Sequence, residues 1–166
     1  MTAARPSLPT SVDLIVVGAG TAGAATAAFA AERGLRVLCV DRRPLAGAGA
    51  RWVNGVTRTA LRAAGVVPQE GLADPPRFHL LTARHRVTVP RHDIVDLDMR
   101  ALVAQLQARA LAAGAILVGD VTVRGRDGAT VVTDAGPVHG RWIVDASGLA
   151  GAGPAPPAPP PRRSRP

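Results

Sequence analysis

Apolar positions in this chain arrive in short unbroken runs cut off by glycine, and the runs alternate with stretches at helical spacing. Val12 and Leu14 to Val17 make a run of strand length that Gly18 stops. The small residues from Thr21 to Glu32 predict a helix that ends at Gly34, and Leu35 to Val40 predict a second buried strand. Strand, helix and strand in this order specify a βαβ unit, because parallel neighbours need a crossover between them.

The pattern continues downstream. Pro44, Gly47, Gly49 and Gly55 break up Arg42 to Val56 and predict an irregular segment, followed by a short helix over Thr57 to Ala64 that Gly65 caps. Arg77 to Thr82 and Arg86 to Pro90 predict a hairpin around Ala83-Arg-His, inserted between the halves of the fold. Asp98 to Gly114 is the strongest helix: Leu102, Val103, Leu106, Ala110 and Leu111 recur at helical spacing, Asp98 caps the start and Gly114 ends it. Ala115 to Val118 follows as a strand, a second helix-to-strand crossover onto the same sheet. Val121 to Arg124, Ala129 to Thr133 and Val138 to Arg141, separated by Gly125-Arg-Asp-Gly and Asp134-Ala-Gly-Pro, predict a three-stranded meander. Trp142 to Asp145 then predicts another buried strand that ends in the turn Ala146-Ser-Gly148.

Composition removes several function classes. The net charge is +8, yet every basic side chain is arginine, the arginines are scattered, and only 2% of residues are aromatic, so the stacking surface of a nucleic-acid binder is missing. Cys39 is the single cysteine and falls inside a predicted strand, which excludes a disulfide framework and fits a reducing, cytoplasmic location. No run reaches about 18 apolar residues, so no transmembrane helix is expected, and Met1 to Ser11 has no apolar stretch of a secretory signal. His79, His85 and His92 match no zinc-ligand spacing and read as solvated side chains.

The chemistry concentrates at the first glycines. In Gly18-Ala-Gly-Thr-Ala-Gly23, Gly18 permits a tight turn, Gly20 lets backbone approach a pyrophosphate, and Gly23 lets the helix pack closely on the sheet. The pyrophosphate then rests on the helix N-terminus, at Thr21 and Ala22, where unpaired N–H groups and the helix dipole favour negative charge. Asp41 ends the second strand at about the 20-residue spacing of a carboxylate that grips a ribose hydroxyl. Arg42 or Arg43 falls near the adenosine or a phosphate and Trp52 near a ring, unless this segment is only a surface loop. Arg100 stands in a first helical turn, an unfavourable place for a cation unless an anion is near, or it is simply exposed. No triad joins the histidines to Ser147, which reads as a residue that shapes its turn.

The order of these parts, from GAGTAG through Asp41 and its arginines, the inserted hairpin and the arginine-led helix DMRALVAQLQARALAAGA to the meander and WIVDASGLAG, resembles the N-terminal part of the FAD-dependent oxidoreductases that include aromatic-ring monooxygenases, geranylgeranyl reductases and flavin halogenases. The resemblance spans about Val12 to Gly151 and implies an α/β, Rossmann-like FAD/NAD(P)-binding fold: a doubly wound, mostly parallel sheet with helices on both faces, a β-meander and the inserted hairpin. It implies that Gly18, Gly20 and Gly23 hold the FAD pyrophosphate, Asp41 the adenosine ribose and Arg42 or Arg43 the adenosine side. Arg100 approaches the phosphates, Val121 meets adenine through its backbone, and Asp145, Ala146 and Gly148 line the cofactor. NAD(P)H is the electron donor such a flavoprotein would use.

One departure bears on activity. The family's later Gly-Asp motif and substrate domain have no counterpart here, since Val118-Gly-Asp120 precedes the meander. The expected organisation is a flexible segment 1–11, an incomplete FAD-binding domain 12–151 and a disordered proline- and arginine-rich tail 152–166, as in a truncated or frameshifted product. Such a chain is a flavin oxidoreductase fragment whose own catalysis is in doubt and whose partner is a missing substrate domain or another subunit. A NAD(P)-binding dehydrogenase domain and a non-catalytic, partner-binding remnant stay open as alternatives.

Overall fold

The computed structural model describes residues 7–66, 77–90 and 93–148; His92, residues 1–6 and the 152–166 tail lie outside them. Strand β1 (Ser11–Val17), helix α1 (Thr21–Ala31) and strand β2 (Val37–Val40) form the expected βαβ unit, with Leu14 opposite Val37 and Val16 opposite Cys39 in parallel register. Strand β3 (Val53–Thr57) then leads into helix α2 (Arg58–Ala63), strands β4 (Arg77–Leu81) and β5 (Arg86–Pro90) form the hairpin, and strand β6 (Ile94–Asp98) leads into helix α3 (Met99–Ala112). Strands β7 (Ile116–Val118), β8 (Val123–Asp127), β9 (Thr130–Thr133) and β10 (Gly136–Asp145) complete a six-stranded sheet in the order β7-β2-β1-β10-β9-β8. Its first four strands are parallel and the last two pairings antiparallel, a mixed α/β sheet that is parallel at its centre.

Three expectations change. Residues 53–56, read as part of an irregular segment, and Thr57, read as the start of a helix, form a strand, because Ile94–Asp98 supplies an antiparallel ladder that no local pattern around Asn54-Gly55 reveals. The third meander strand and the last parallel strand are one element: β10 pairs with β9 over 136–139 and with β1 over 139–145, changing partners without a turn. Helices were expected on both faces of the sheet, but among the described residues α1 and α3 share one. Leu14, Val16 and Cys39 pack there against Ala27, Ala28 and Ala110. The other face is covered by the meander: Ile15, Val17, Leu38 and Val40 pack against Val121, Val131 and Val138. The alternation of adjacent strand side chains between faces lets both layers bury valine-sized groups.

Local chemistry sets the helix ends. The Asp98 carboxylate accepts from the Arg100 amide at 2.9 Å and the Thr57 hydroxyl from the Ala60 amide at 3.2 Å, so both caps fall where side-chain acceptors meet unpaired N–H groups. Three elements meet at Arg109 on α3. Its guanidinium donates to both carboxylate oxygens of Glu32 at 2.6 and 3.0 Å and to the Ala64 carbonyl, and it lies 4.7 Å from the Phe29 ring centroid. Among the described residues no helix is long and apolar enough to cross a membrane.

Hydrogen bonds hold three carboxyls below their ordinary values: Asp13 (3.8) by the Arg36 amide and side chain, Glu32 (4.5) by Arg109, and Asp93 (3.8) by the Thr59 hydroxyl and amide. Because the folded values are depressed, the stability these groups contribute is complete above the unfolded values and is lost as pH falls through the folded ones. Thermal melts should therefore show a falling midpoint as pH drops below about 4.5. The Glu32→Gln variant should melt lower at neutral pH and lose part of that acid dependence; an unchanged profile would contradict the assignment.

Candidate functional site

Strands β1, β2 and β10 end side by side, and their carboxyl ends open into a cleft of about 920 Å³. Such a crevice at the ends of parallel strands is where open α/β sheets bind ligands. One wall is the glycine loop, with Gly18, Gly20 and Thr21, and a second, from the segment after β2, carries Arg42, Arg43, Arg51 and Trp52. Val121 to Val123 and the turn Ala146 to Gly148 close the remaining sides.

Gly18 is held by two constraints. Its φ is +102°, in the region that favours glycine, and a Cβ there would stand 2.5 Å from the Ala146 carbonyl oxygen. A Cβ on Gly23 would stand 1.7 Å from the Gly18 carbonyl oxygen, so α1 begins in direct backbone contact with the loop. Gly20 is the N-cap of α1 and offers no capping side chain, and the first turn has no acidic residue. The first helical bond runs from the Ala24 amide to the Gly20 carbonyl at 2.8 Å, which leaves the amides before it without helical acceptors. Gly20 and Thr21 present this end to the cleft.

Asp41 ties the two walls together. One carboxylate oxygen accepts from the Ala19 amide at 2.8 Å and the other from the Arg43 amide at 2.9 Å. An ionised carboxylate has about four acceptor positions, so two backbone bonds leave capacity for hydroxyl groups of a sugar. The Val121 amide is committed to the Asp41 carbonyl at 2.9 Å, so a base beside it meets the carbonyl edge rather than the N–H. Asp145 turns the end of β10: one of its oxygens accepts from both the amide and the hydroxyl of Ser147, at 3.0 and 2.5 Å, which gives Ser147 the turn-shaping position expected of it.

The remaining candidates spread out. Gly18, Gly20, Thr21, Asp41, Arg42, Arg43, Val121, Ala146 and Gly148 all line the cleft, whereas Ala22, Gly23 and Asp145 are not among its lining residues: Gly23 is buried, and Ala22 and Asp145 are exposed elsewhere. Arg100 is not among the lining residues; its side chain is largely exposed, 3.7 Å from the Asp98 carboxylate. Asp120, with φ +58°, follows Gly119, whose position against Arg43 to Leu45 leaves no room for a Cβ, so Val118-Gly-Asp120 packs a loop and does not face the cleft. His79 bonds the Thr88 hydroxyl at 3.0 Å and stands 3.2 Å from Arg86 on the exposed hairpin. Cys39 is buried beneath the site with its thiol 3.5 Å from the Gly18 carbonyl; burial, with Asp41 adding repulsion, pushes that thiol up to about 12. Sequence reasoning missed Gln107, a buried amide on α3 that reaches the glycine loop, because nothing local distinguishes it from Gln105 two residues earlier in the same alanine-rich helix.

Residues 13–57 match the family model described as FAD dependent oxidoreductase. The chain is 36% identical over 58 residues to the digeranylgeranylglycerophospholipid reductase of Picrophilus torridus, a match that covers 35% of this chain and 15% of that protein. It is 43% identical over 54 residues to the reductase of the same name from Methanosphaerula palustris, covering 32% of this chain and 14% of that one. Among solved structures, a geranylgeranyl bacteriochlorophyll reductase-like protein of Thermoplasma acidophilum superposes with a TM-score of 0.72 at 20% identity, over 84% of this chain and 40% of that one. The myxobacterial chondrochloren halogenase gives 0.70 at 19% identity, over 87% and 39%. At these identities the structural likeness establishes the fold.

Two outcomes follow from the geometry. Gly18→Ala should lower stability by more than about 1 kcal/mol in urea unfolding, since it adds left-handed strain to a backbone clash; a neutral result would mean that the turn adapts. In the folded chain at pH 8, Cys39 should resist a thiol reagent and react only as fast as the protein unfolds, which a colorimetric thiol assay with and without denaturant measures.

Proposed function

We propose that this chain, which belongs through its residues 13–57 to the FAD-dependent oxidoreductase family, uses the cleft at the ends of β1, β2 and β10 to hold the adenosine diphosphate half of FAD. The observation that carries this reading is the presence, side by side in one cleft, of an uncapped helix N-terminus at Gly20 and the Asp41 carboxylate, which bonds the neighbouring Ala19 amide. Amides and dipole favour the pyrophosphate, and the spare acceptor positions of Asp41 favour the ribose. Arg42, Arg43 and Arg51, which line the same cleft, add positive charge for the adenosine side, and Ala146 to Gly148 line the course of the cofactor. When bound, the flavin supplies hydride or oxygen chemistry, while protein groups bind it, orient it and exclude water.

The chain spans 40% or less of the length of these relatives, and its matches to the curated reductases cover about a seventh of each. The family match over residues 13–57 therefore supports cofactor binding. The reaction, reductase or monooxygenase in type with NAD(P)H as electron donor, is proposed for the protein as a whole.

Titration of the purified chain with FAD, followed by quenching of flavin fluorescence, should give saturable binding. Asp41→Ala should weaken it roughly tenfold or more, the cost of removing a charged acceptor. Gly20→Val, which places a branched side chain over the helix amides, should abolish it. Binding of NAD in preference to FAD would favour a nicotinamide-dependent enzyme, and binding of neither would overturn the proposal.

A further inference from the structure

We infer that Gln107 is a positioning residue that aims the Gly20 amide at the cofactor and sets the spacing between the two cleft walls. The inference rests on the reading of the cleft as an FAD site. Gln107 is buried on α3, 8% exposed, and its Nε2 donates to the Ala19 carbonyl at 2.9 Å and to the Leu45 carbonyl at 3.0 Å. Both partners are carbonyl oxygens, so only the NH₂ end of the amide can face them, and the side chain's orientation follows from the chemistry. Ala19 lies in the glycine loop and Leu45 in the loop after Asp41, so one side chain bonds the backbone of both segments that flank the cleft.

Ala19 is held on both sides. Its N–H goes to Asp41 and its C=O to Gln107, which fixes both peptide planes that meet at its Cα. In a trans peptide the C=O and the following N–H point in opposite directions. Anchoring the Ala19 carbonyl on α3 therefore turns the Gly20 N–H away from α3, and Gly20 lines the cleft. The same helix backs the other wall: Val103, one turn before Gln107, stands 3.1 Å from where a Cβ on Gly49 would lie, and Gly49 in turn meets Gly20 backbone to backbone, where a Cβ would have 3.0 Å. Donors held in place before the ligand arrives reduce the ordering that binding must otherwise impose.

The test compares the wild-type chain with Gln107→Met, which keeps length and removes both donors, and with Leu102→Val, a conservative core change on the same helix that leaves both Gln107 hydrogen bonds in place. Gln107→Met should weaken FAD binding roughly tenfold. It should also speed hydrogen exchange in ligand-free peptides covering 18–24 and 43–49 together. Leu102→Val should lower the melting temperature and leave FAD affinity unchanged. In the wild type, the Gln107 side-chain NH₂ signals should exchange slowly and shift on adding FAD, a readout that survives any variant's failure to fold. Wild-type binding with equal affinity in Gln107→Met, or solvent-like exchange of that NH₂, would overturn the role of Gln107. A wild type that binds no FAD while the two loops still loosen together in Gln107→Met would overturn the cofactor reading and leave the coupling of the loops standing.

Discussion

Three stretches of backbone converge on Gly18: the end of β1, the first turn of α1 at Gly23, and the turn after β10 at Ala146. At two of these contacts a single Cβ would overlap main-chain oxygen, so the approach exists only because side chains are absent there. The Ala146 amide adds a bond to the Val17 carbonyl at 2.8 Å, and the Gly18 amide one to the Val40 carbonyl at 2.7 Å, which draws all three strand ends to one level. The cleft is the space these ends leave above them. Its position is a consequence of strand polarity and of glycine, before any ligand chemistry is considered.

Above that level the site depends on backbone groups held by a few side chains. Asp41 and Gln107 grip Ala19 from opposite directions, one by its N–H and one by its C=O, and each also bonds the loop that follows β2. A site built in this way presents amides and carbonyls rather than reactive side chains. That suits the holding of a coenzyme that carries its own chemistry.

Much of this was legible locally. The β1-α1-β2 unit, the glycine spacing, Asp41 and the Asp98 cap are short-range patterns, and the structure has the two strands, the helix between them and the cap where they were read. Leu111 shows the limit. It shares the helical stripe with Leu102 and Leu106 yet is 51% exposed, while Gln107 is buried, because the carbonyls of Ala19 and Leu45 give an amide a better environment than solvent. Periodicity counts apolar residues and has no term for an acceptor brought near by another segment.

The sequence alone determined the covalent constraints: where a Cβ is missing, where an acid ends a strand, where a helix starts and stops. These depend on neighbours a few residues apart. Tertiary structure decided which distant segments meet, namely the pairing of Val53–Thr57 with Ile94–Asp98, the change of partner by which β10 serves both β9 and β1, and, among the described residues, the meander rather than a second helical layer on the far face of the sheet. Those outcomes were out of reach locally because each is fixed by burial and hydrogen bonding between residues tens of positions apart, and such contacts leave no mark on the pattern of either partner alone.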